Sequence, residues 1–157
     1  MIAKYISCLL ILFAFNTLNA QHDPSYQLLS IVNELRSDGC TCDGSYQPPV
    51  RPVSWNATLE KSAKIHAADM ASNKYFSHFS RSGLDVGDRV EKLGYNWQTI
   101  GENLAQGYYE ADKVLQAWIN SPEHCELLMN PKFTEMGAAL RGEYWVQHFG
   151  KRRKPRD

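Results

Sequence analysis

Residues 59–78, LEKSAKIHAADMASNKYFSH, have apolar side chains at the spacing of an amphipathic helix that reaches about residue 75. One face of this predicted helix consists of Leu59, Ala63, His66, Ala67 and Met70. Glu60 and Lys64 are spaced for an i,i+4 ion pair on another face. Asn56 lies just before the helix and is its predicted N-cap. Residues 56–58 also match a glycosylation acceptor, which is the weaker alternative.

Another amphipathic helix is predicted ahead of this stretch. Asp23 is its expected N-cap and Pro24 its first helical residue, and Gly39 ends it. Residues 40–54, CTCDGSYQPPVRPVS, contain three prolines and several turn-forming residues. We therefore predict an extended loop between the two helices.

The rest of the chain alternates short helices with strand-prone segments. In chain order, we expect a loop at 76–88, a short helix that ends at Gly94, a short strand within 97–107, helices from about Glu110 and from Ser121-Pro122, and a hairpin of residues 135–140 and 143–149. This order predicts an α+β or α-β-α layered domain and not a regular βαβ repeat.

The two ends of the chain differ from its middle, residues 21–150, which form the predicted domain. Residues 1–20 combine an early positive charge, an apolar run and small or polar residues up to Ala20, which is typical of a secretory signal peptide. An uncleaved anchor is the alternative. Residues 151–157, KRRKPRD, contain five basic residues. We expect a solvated tail here, with attraction to an anionic surface as the second interpretation.

Composition and charge exclude several functional classes. Of the 157 residues, 43% are hydrophobic and 22% are charged, which suits one packed globular domain. The 17 basic and 17 acidic residues cancel, but Lys4, the five basic residues of the tail and one tail acid lie outside residues 21–150, so the domain itself has a net charge of about −5. An acidic domain is not built for electrostatic capture of nucleic acid, so we expect no such partner.

The cysteines bear on the compartment and on the covalent structure. Cys8 lies in the predicted signal peptide, so we do not expect it to take part in the fold. An exported protein meets an oxidising environment, so we expect one disulfide among the remaining three cysteines and one thiol left over. A Cys40–Cys42 bridge would close a strained ring, which favours Cys125 paired with either Cys40 or Cys42.

The sequence contains no local catalytic motif, because HExxH, GxSxG, Walker A and GxGxxG patterns are all absent. The candidate histidines are His22, His66, His78, His124 and His148. His66 lies on an apolar helix face, where a core histidine is the favoured interpretation, and the pattern does not assign the strand face of His148. His78 lies in a loop and His124 at a helix start, where site residues concentrate.

Five segments occur in order along the chain: 59–78, 101–107 (GENLAQG), 118–133 (WINSPEHCELLMNPKF), 136–137 (MG) and 144–150 (YWVQHFG). Together they resemble the CAP superfamily, the SCP-like family of cysteine-rich secretory proteins, antigen 5 and pathogenesis-related class 1 proteins, and more specifically its secreted bacterial-type members. The resemblance covers about residues 25–150. It implies an α-β-α sandwich with a central cleft lined by histidines and acidic residues.

The resemblance also implies which residues line the cleft. His78 matches the first cleft histidine of the family, Glu102 matches the glutamate of its Gly-Glu-Asn segment, and His124 matches the histidine of its Ser-Pro-x-His segment. Glu123 and Tyr144 are further candidates. Eukaryotic members place a cleft histidine at about the position of Tyr144, so we do not expect a complete tetrad of two histidines and two glutamates.

Two imidazoles and a carboxylate form a suitable shell for Zn²⁺ or another divalent cation, with His78 and His124 as the implied metal ligands. We therefore expect a secreted or periplasmic module that binds an extracellular lipid, peptide or polysaccharide and has no established catalytic reaction. The alternative is an extracellular hydrolase of peptide or cell-wall substrates with Glu102 as the base. A third hypothesis is a surface-interaction module that docks through the basic tail.

Overall fold

The computed structural model describes residues 23–154, so the predicted signal peptide, His22 and the end of the basic tail lie outside it. The described helices are α1 Pro24–Asp38, α2 Ala57–Asn73, α3 Val86–Glu91, α4 Ala111–Ile119 and α5 Pro122–Leu128. The described strands are β1 Cys40–Cys42, β2 Ser45–Gln47, β3 Ser54–Trp55, β4 Trp97–Gln106, β5 Glu135–Arg141 and β6 Tyr144–Arg152. Within this part of the chain, none of the helices has the length and apolar character needed to cross a bilayer.

Four strands form the central sheet in the order β3-β5-β6-β4. β6 pairs antiparallel with both β5 and β4, and β3 runs parallel to β5. β4 therefore lies at an edge of the sheet. α2 packs against β5 and β6 on one face, while α1 and α4 pack on the other. The predicted α-β-α sandwich is confirmed.

The two faces of the sheet contact two separate cores. The core beneath α1 and α4 contains the largest fully buried side chains, Trp118 and Trp145. The core beneath α2 contains Met70 and Val146. The neighbours Trp145 and Val146 belong to opposite cores, as the alternation of side chains along a strand requires. Fully burying a large apolar side chain contributes roughly 1.5–3 kcal/mol, so both helical layers are held to the sheet.

The predicted starts of the first two long helices are confirmed. The side chain of Asp23 accepts a hydrogen bond from the Ser25 amide at 2.8 Å, and that of Asn56 accepts one from the Leu59 amide at 3.1 Å. The amide nitrogen of the Asn56 side chain donates to Glu135 Oε1 at 2.7 Å. Because both ends of this side chain are engaged, the cap interpretation is favoured over the glycosylation alternative.

The structure differs from the sequence prediction in three segments. Residues 40–47 form the β1–β2 hairpin and not an extended loop, because Asp43 and Gly44 adopt φ values of 47° and 78° and close a two-residue turn. β4 is ten residues long, well beyond the short strand predicted. β6 continues to Arg152, so the first two residues of the predicted tail belong to the sheet.

Gly137 allows α2 to approach the sheet closely. It lies in β5 opposite His148 of β6, and a Cβ atom at this position would overlap the backbone of Leu59 and Glu60 in the first turn of α2. A strand glycine often marks such a close approach of another backbone. The start of α2 therefore rests directly on the sheet beside His148.

We expect Gly137→Ala to destabilise the protein more than Gly101→Ala, its matched control in β4. Overpacking lowers the free energy of unfolding by about 1–3 kcal/mol, and by more where the neighbours cannot shift. We therefore expect Gly137→Ala to lower it by roughly 3 kcal/mol or more. A Cβ at Gly101 would meet the ends of side chains, Leu127 Cδ1 at 2.7 Å and Phe133 Cζ at 2.9 Å, which can move. Urea unfolding measures both losses, and equal losses would contradict this argument.

Candidate functional site

The carboxylate of Glu102 lies at the centre of a polar cluster. Its Oε1 accepts a hydrogen bond from His78 Nδ1 at 2.7 Å, and its Oε2 accepts from His148 Nε2 at 2.8 Å and from Arg89 Nη2 at 2.5 Å. The side chains of Glu102, Arg89 and His148 are 2%, 6% and 0% exposed, whereas that of His78 is 56% exposed. The cluster thus presents one imidazole to solvent and buries its other members.

The sheet brings Glu102 and His148 together. They lie directly opposite each other in the antiparallel pair of β4 and β6. They share the face that packs against α2, because Leu104, two residues further along β4, belongs to that core. His148 Nδ1 lies 3.3 Å from the carbonyl oxygen of Leu59 in α2, a contact that depends on the glycine at position 137.

Arg89 holds the loop that contains His78. Its Nη1 donates to the carbonyl oxygens of His78 and Leu84, each at 2.8 Å, while its Nη2 binds Glu102. α3, which contains Arg89, begins with a capping box at Asp85. The guanidinium therefore fixes both the backbone of the loop and the carboxylate that the loop histidine binds.

His66 lies beneath the same loop and is fully buried. Its Nε2 donates to the Ser77 carbonyl oxygen at 2.8 Å, and its Nδ1 has no hydrogen-bond partner among the described residues. Burial lowers the pKa of His66, and the positive charge of Arg89 lowers it further. His66 is a neutral core histidine, as the sequence indicates, and supports the backbone just before His78.

His124 approaches the edge strand from the opposite layer. It is half-buried in the first turn of α5, and its Nδ1 lies 2.8 Å from the hydroxyl oxygen of Ser121. Its carbonyl oxygen accepts a long hydrogen bond of 3.4 Å from Asn103, the neighbour of Glu102 in β4. Burial lowers the pKa of His124, and the nearby His78 lowers it further. Because His78 binds Glu102 and the His124 carbonyl binds Asn103, the two histidines contact consecutive residues of the edge strand.

The environment of Glu102 keeps its carboxylate ionised. Burial by itself would raise the pKa of Glu102, but the hydrogen bonds from His148 and His78 and the charge of Arg89 outweigh it and hold the pKa well below the usual range. General bases work best when their pKa lies near the working pH. The hydrolase alternative, with Glu102 as the base, therefore gains no support from this geometry.

The hydrogen bonds leave one nitrogen free on each cleft imidazole. His78 uses Nδ1 to bind Glu102, and His124 uses Nδ1 to bind Ser121, so Nε2 of each ring has no partner within residues 23–154. A carboxylate or hydroxyl on one ring nitrogen is the arrangement that orients metal-binding histidines. The donor types therefore suit a divalent cation such as Zn²⁺, with His78 and His124 as the candidate ligands and Glu102 as an outer partner.

The other predicted site residues, Glu123 and Tyr144, make no hydrogen bond to Glu102. Glu123 is exposed and makes no hydrogen bond to the described part of the chain. Tyr144 lies opposite Gln106, four residues along β6 from His148, and packs into the core beneath α2. The structure therefore brings neither side chain to the carboxylate of Glu102.

Two members of the cluster, Arg89 and His148, are missing from the sequence prediction. His148 lies within the segment 144–150, but only its pairing opposite Glu102 shows which face of the sheet it occupies. Arg89 lies beside Val90 in a short helix, and nothing in its spacing predicts a buried guanidinium. Both positions follow from tertiary contacts and not from local pattern.

The predicted disulfide joins Cys42 of β1 to Cys125 of α5, and Cys40 is a free thiol. The two bonded residues are 83 positions apart, and in the chain-entropy model closing such a loop stabilises the fold by about 4–5 kcal/mol. Because Cys125 follows His124, the disulfide also anchors the helix start that contains this histidine.

We expect the stability of the protein to fall as the pH is lowered from about 7 to about 4. The unfolded chain protonates His66 and His124 near the ordinary value of 6.5, while the folded state keeps them neutral, so added protons favour the unfolded chain. Below the ordinary value of 4.5, the unfolded chain also protonates Glu102, which stays ionised in the folded state. Thermal melts across this pH range measure the combined loss.

The variant His66→Gln isolates one of these groups, because glutamine can still donate to the Ser77 carbonyl but cannot titrate. Its melting temperature should depend less steeply on pH between about 7 and 5 than that of the unaltered protein. A slope as steep as that of the unaltered protein would contradict the assignment of His66 as a neutral core histidine.

Comparison with known proteins agrees with this architecture. The protein YkwD of Bacillus subtilis (strain 168) is 34% identical over 102 residues, which are 64% of this chain and 40% of YkwD. An extracellular protein containing a SCP domain from Bacillus anthracis aligns with a TM-score of 0.73 and 28% identity over 83% of this chain and 40% of its own. An outer surface protein from Borrelia burgdorferi aligns with a TM-score of 0.71 and 29% identity over 82% of this chain and 92% of its own.

This chain therefore spans less than half the length of YkwD and of the Bacillus anthracis protein. The family match itself covers most of the chain. Residues 29–149 match the CAP family, described as the cysteine-rich secretory protein family. The family expected from the five sequence segments is thus confirmed, and this protein belongs to the CAP family.

Proposed function

We propose that the protein is an extracellular CAP module that binds a ligand at the cleft of His78, Glu102 and His124, with a divalent cation as part of the site. One observation supports this most directly. The buried, ionised Glu102 holds the exposed imidazole of His78 through Nδ1, and Nε2 has no hydrogen-bond partner among residues 23–154. Fixing an exposed donor with a buried supporting shell is typical of a binding site.

The loop around His78 also offers apolar surface. Phe76 and Phe79 are 48% and 58% exposed on either side of this histidine in the sequence. Exposed aromatic side chains supply large contact areas to a ligand. A ligand with an apolar part and a group that binds a cation fits this surface, and lipids, peptides and polysaccharides all include molecules of this kind.

The proposed extracellular location has three supports. Residues 1–20 have the composition of a signal peptide, and the disulfide between Cys42 and Cys125 suits an oxidising compartment. Two structural neighbours are named as an extracellular protein and an outer surface protein.

The proposed cation would be held by Nε2 of His78 and Nε2 of His124. When bound, it would act as a Lewis acid and attract a carboxylate, phosphate or carbonyl oxygen of the ligand. Glu102 keeps the Nδ1 proton on His78, so that Nε2 keeps its lone pair for the metal. Arg89 neutralises the charge of Glu102 and keeps the loop in place.

We expect Zn²⁺ to bind the oxidised protein with Cys40 alkylated, and each of His78→Ala and His124→Ala to weaken this binding by at least about 10-fold. The double variant should lose both the binding and the rise in melting temperature that Zn²⁺ produces. His66→Gln is the control, because His66 is buried outside the cleft. Isothermal titration measures the affinities, and a double variant with unchanged Zn²⁺ affinity and thermal stability would refute the cleft site.

Glu102→Gln tests separately whether the hydrogen bond from His78 to Glu102 supports metal binding. Loss of an outer-shell partner typically costs 10–100-fold in metal affinity, and the uncompensated Arg89 should also destabilise the fold by roughly 3–5 kcal/mol. The matched control is Glu126→Gln, an exposed residue of α5. Zn²⁺ titration and urea unfolding report the two effects, and a Glu102→Gln protein that matches this control in both would refute the supporting role.

A further inference from the structure

Three sulfur atoms meet between β1 and α5, where Cys125 directly follows His124 in the sequence. Cys40 Sγ lies 3.8 Å from Cys42 Sγ and 3.7 Å from Cys125 Sγ, while Cys42 and Cys125 are joined as a disulfide. Within residues 23–154, these cysteines are the only set of three or more His, Cys, Asp or Glu side chains whose donor atoms all lie within 4.8 Å of one another. The CAP site described above uses none of these sulfurs.

The hairpin of β1 and β2 creates this arrangement. Cys40 and Cys42 are two residues apart in β1 and therefore project from the same face of the strand. Gly39 precedes them with φ +79°, and a Cβ there would lie 2.7 Å from the Gln47 carbonyl oxygen, so the tight turn out of α1 requires glycine. The strand thus presents two sulfurs to Cys125 at once.

The surroundings of the three sulfurs are apolar. Cys42 and Cys125 are buried in one cluster with Met129, and the half-buried Cys40 packs against this cluster with Leu35. Cys40 is the member of the set that reaches solvent.

A buried positive charge binds the backbone on either side of Met129, a member of this cluster. Arg36 is fully buried, and its Nη1 donates to the carbonyl oxygens of Leu128 and Asn130, the two neighbours of Met129. Its Nη2 is buried without a hydrogen-bond partner among the described residues. A buried cation with spare hydrogen-bonding capacity is costly near neutral groups and favourable near an anionic centre.

The spacing of the sulfurs matches that of a tetrahedral metal site. With a Zn–S bond of about 2.3 Å, tetrahedral geometry places neighbouring sulfurs about 3.8 Å apart. The two distances from Cys40 already have this value. Only the third edge of the triangle is shorter, because Cys42 and Cys125 are covalently bonded.

We propose that Cys40, Cys42 and Cys125 form a redox-gated site for one thiophilic d¹⁰ ion, Zn²⁺ or Cu⁺. A dithiol or phosphine reductant supplies two electrons, and with two protons the S–S bond between Cys42 and Cys125 becomes two thiols. The dithiol leaves as its own disulfide, and a phosphine leaves as its oxide after taking oxygen from water. The metal ion then binds three thiolates and releases their three protons. The oxidised protein has one thiol in place of three thiolates and does not bind.

The test uses the full chain, reduced anaerobically with a phosphine and freed of reductant. Co²⁺ serves as the spectroscopic probe, since thiolate ligation gives an intense near-ultraviolet charge-transfer band, and Zn²⁺ and chelator-buffered Cu⁺ are then added as competitors. We expect the band to correspond to one thiolate-bound Co²⁺ per reduced chain, to be lost when at least one of the two d¹⁰ ions displaces the Co²⁺, and to be absent from the oxidised protein. Cys40→Ser should weaken binding by at least about 10-fold.

Two controls separate this site from others. Cys8→Ser removes the remaining cysteine of the chain and should leave the band unchanged. The double variant His78→Ala and His124→Ala should also retain it, so failure here and failure of the cleft proposal are distinguishable. A reduced protein without the band, or a Cys40→Ser protein that binds as tightly as the unaltered one, would overturn the proposal.

Reduction itself can unfold the domain, and the same titration covers that case. Metal added to the reduced chain should then restore the near-ultraviolet circular dichroism of the folded protein, because binding energy becomes folding energy. Cys40→Ser keeps the cysteines of the disulfide and should fold when oxidised, but metal should not rescue it when reduced. A reduced chain that stays unfolded in the presence of Co²⁺, Zn²⁺ and Cu⁺ would count against the site.

Discussion

The buried carboxylate of Glu102 is the interaction on which the cleft depends. It joins four separate segments of the chain, because it lies in β4 and binds His148 of β6, Arg89 of α3 and His78 of the loop between α2 and α3. Taking these charges out of water costs several kcal/mol per ion, and their mutual attraction and hydrogen bonds offset that cost. The main effect of the arrangement is therefore to position the side chains around Glu102. The loop histidine is held in one orientation by groups that cannot move without exposing a charge.

This position in turn depends on how closely the layers approach one another. His148 reaches Glu102 only from the sheet face that α2 covers, and the first turn of α2 can lie there because residue 137 has no side chain. The alternation along β4 then places Glu102 toward α2 and Asn103 toward α5. At Glu102 and Asn103, the edge strand is thus polar on both faces. The two cleft histidines approach the strand at these two residues.

The sequence predicts the layers and the helix starts well, because these depend on local pattern. Asp23 and Asn56 act as caps, and the apolar face of α2 is buried as its spacing requires. β4 is predicted too short for a physical reason, since Gly101, Glu102 and Asn103 interrupt the apolar alternation at the point where the strand builds the site. His148 and Arg89 are missed because a long-range strand register and a buried guanidinium leave no local signal. The resemblance supplies His78, Glu102 and His124, and the three-dimensional structure adds Arg89 and His148.

The two walls of the cleft are held by different kinds of force, and this separates what can perturb each one. The wall of His78 rests on charge and hydrogen bonds around Glu102, so it is sensitive to protonation of the supporting groups. The wall of His124 rests on α5, which the disulfide from Cys125 to Cys42 ties to the β1–β2 hairpin, so it is sensitive to reductants. Reductant therefore acts on the wall of His124, whereas acid acts on both walls, because His124 also titrates. Thiol chemistry can therefore reach the proposed site through α5, whereas pH also acts on it through the loop between α2 and α3.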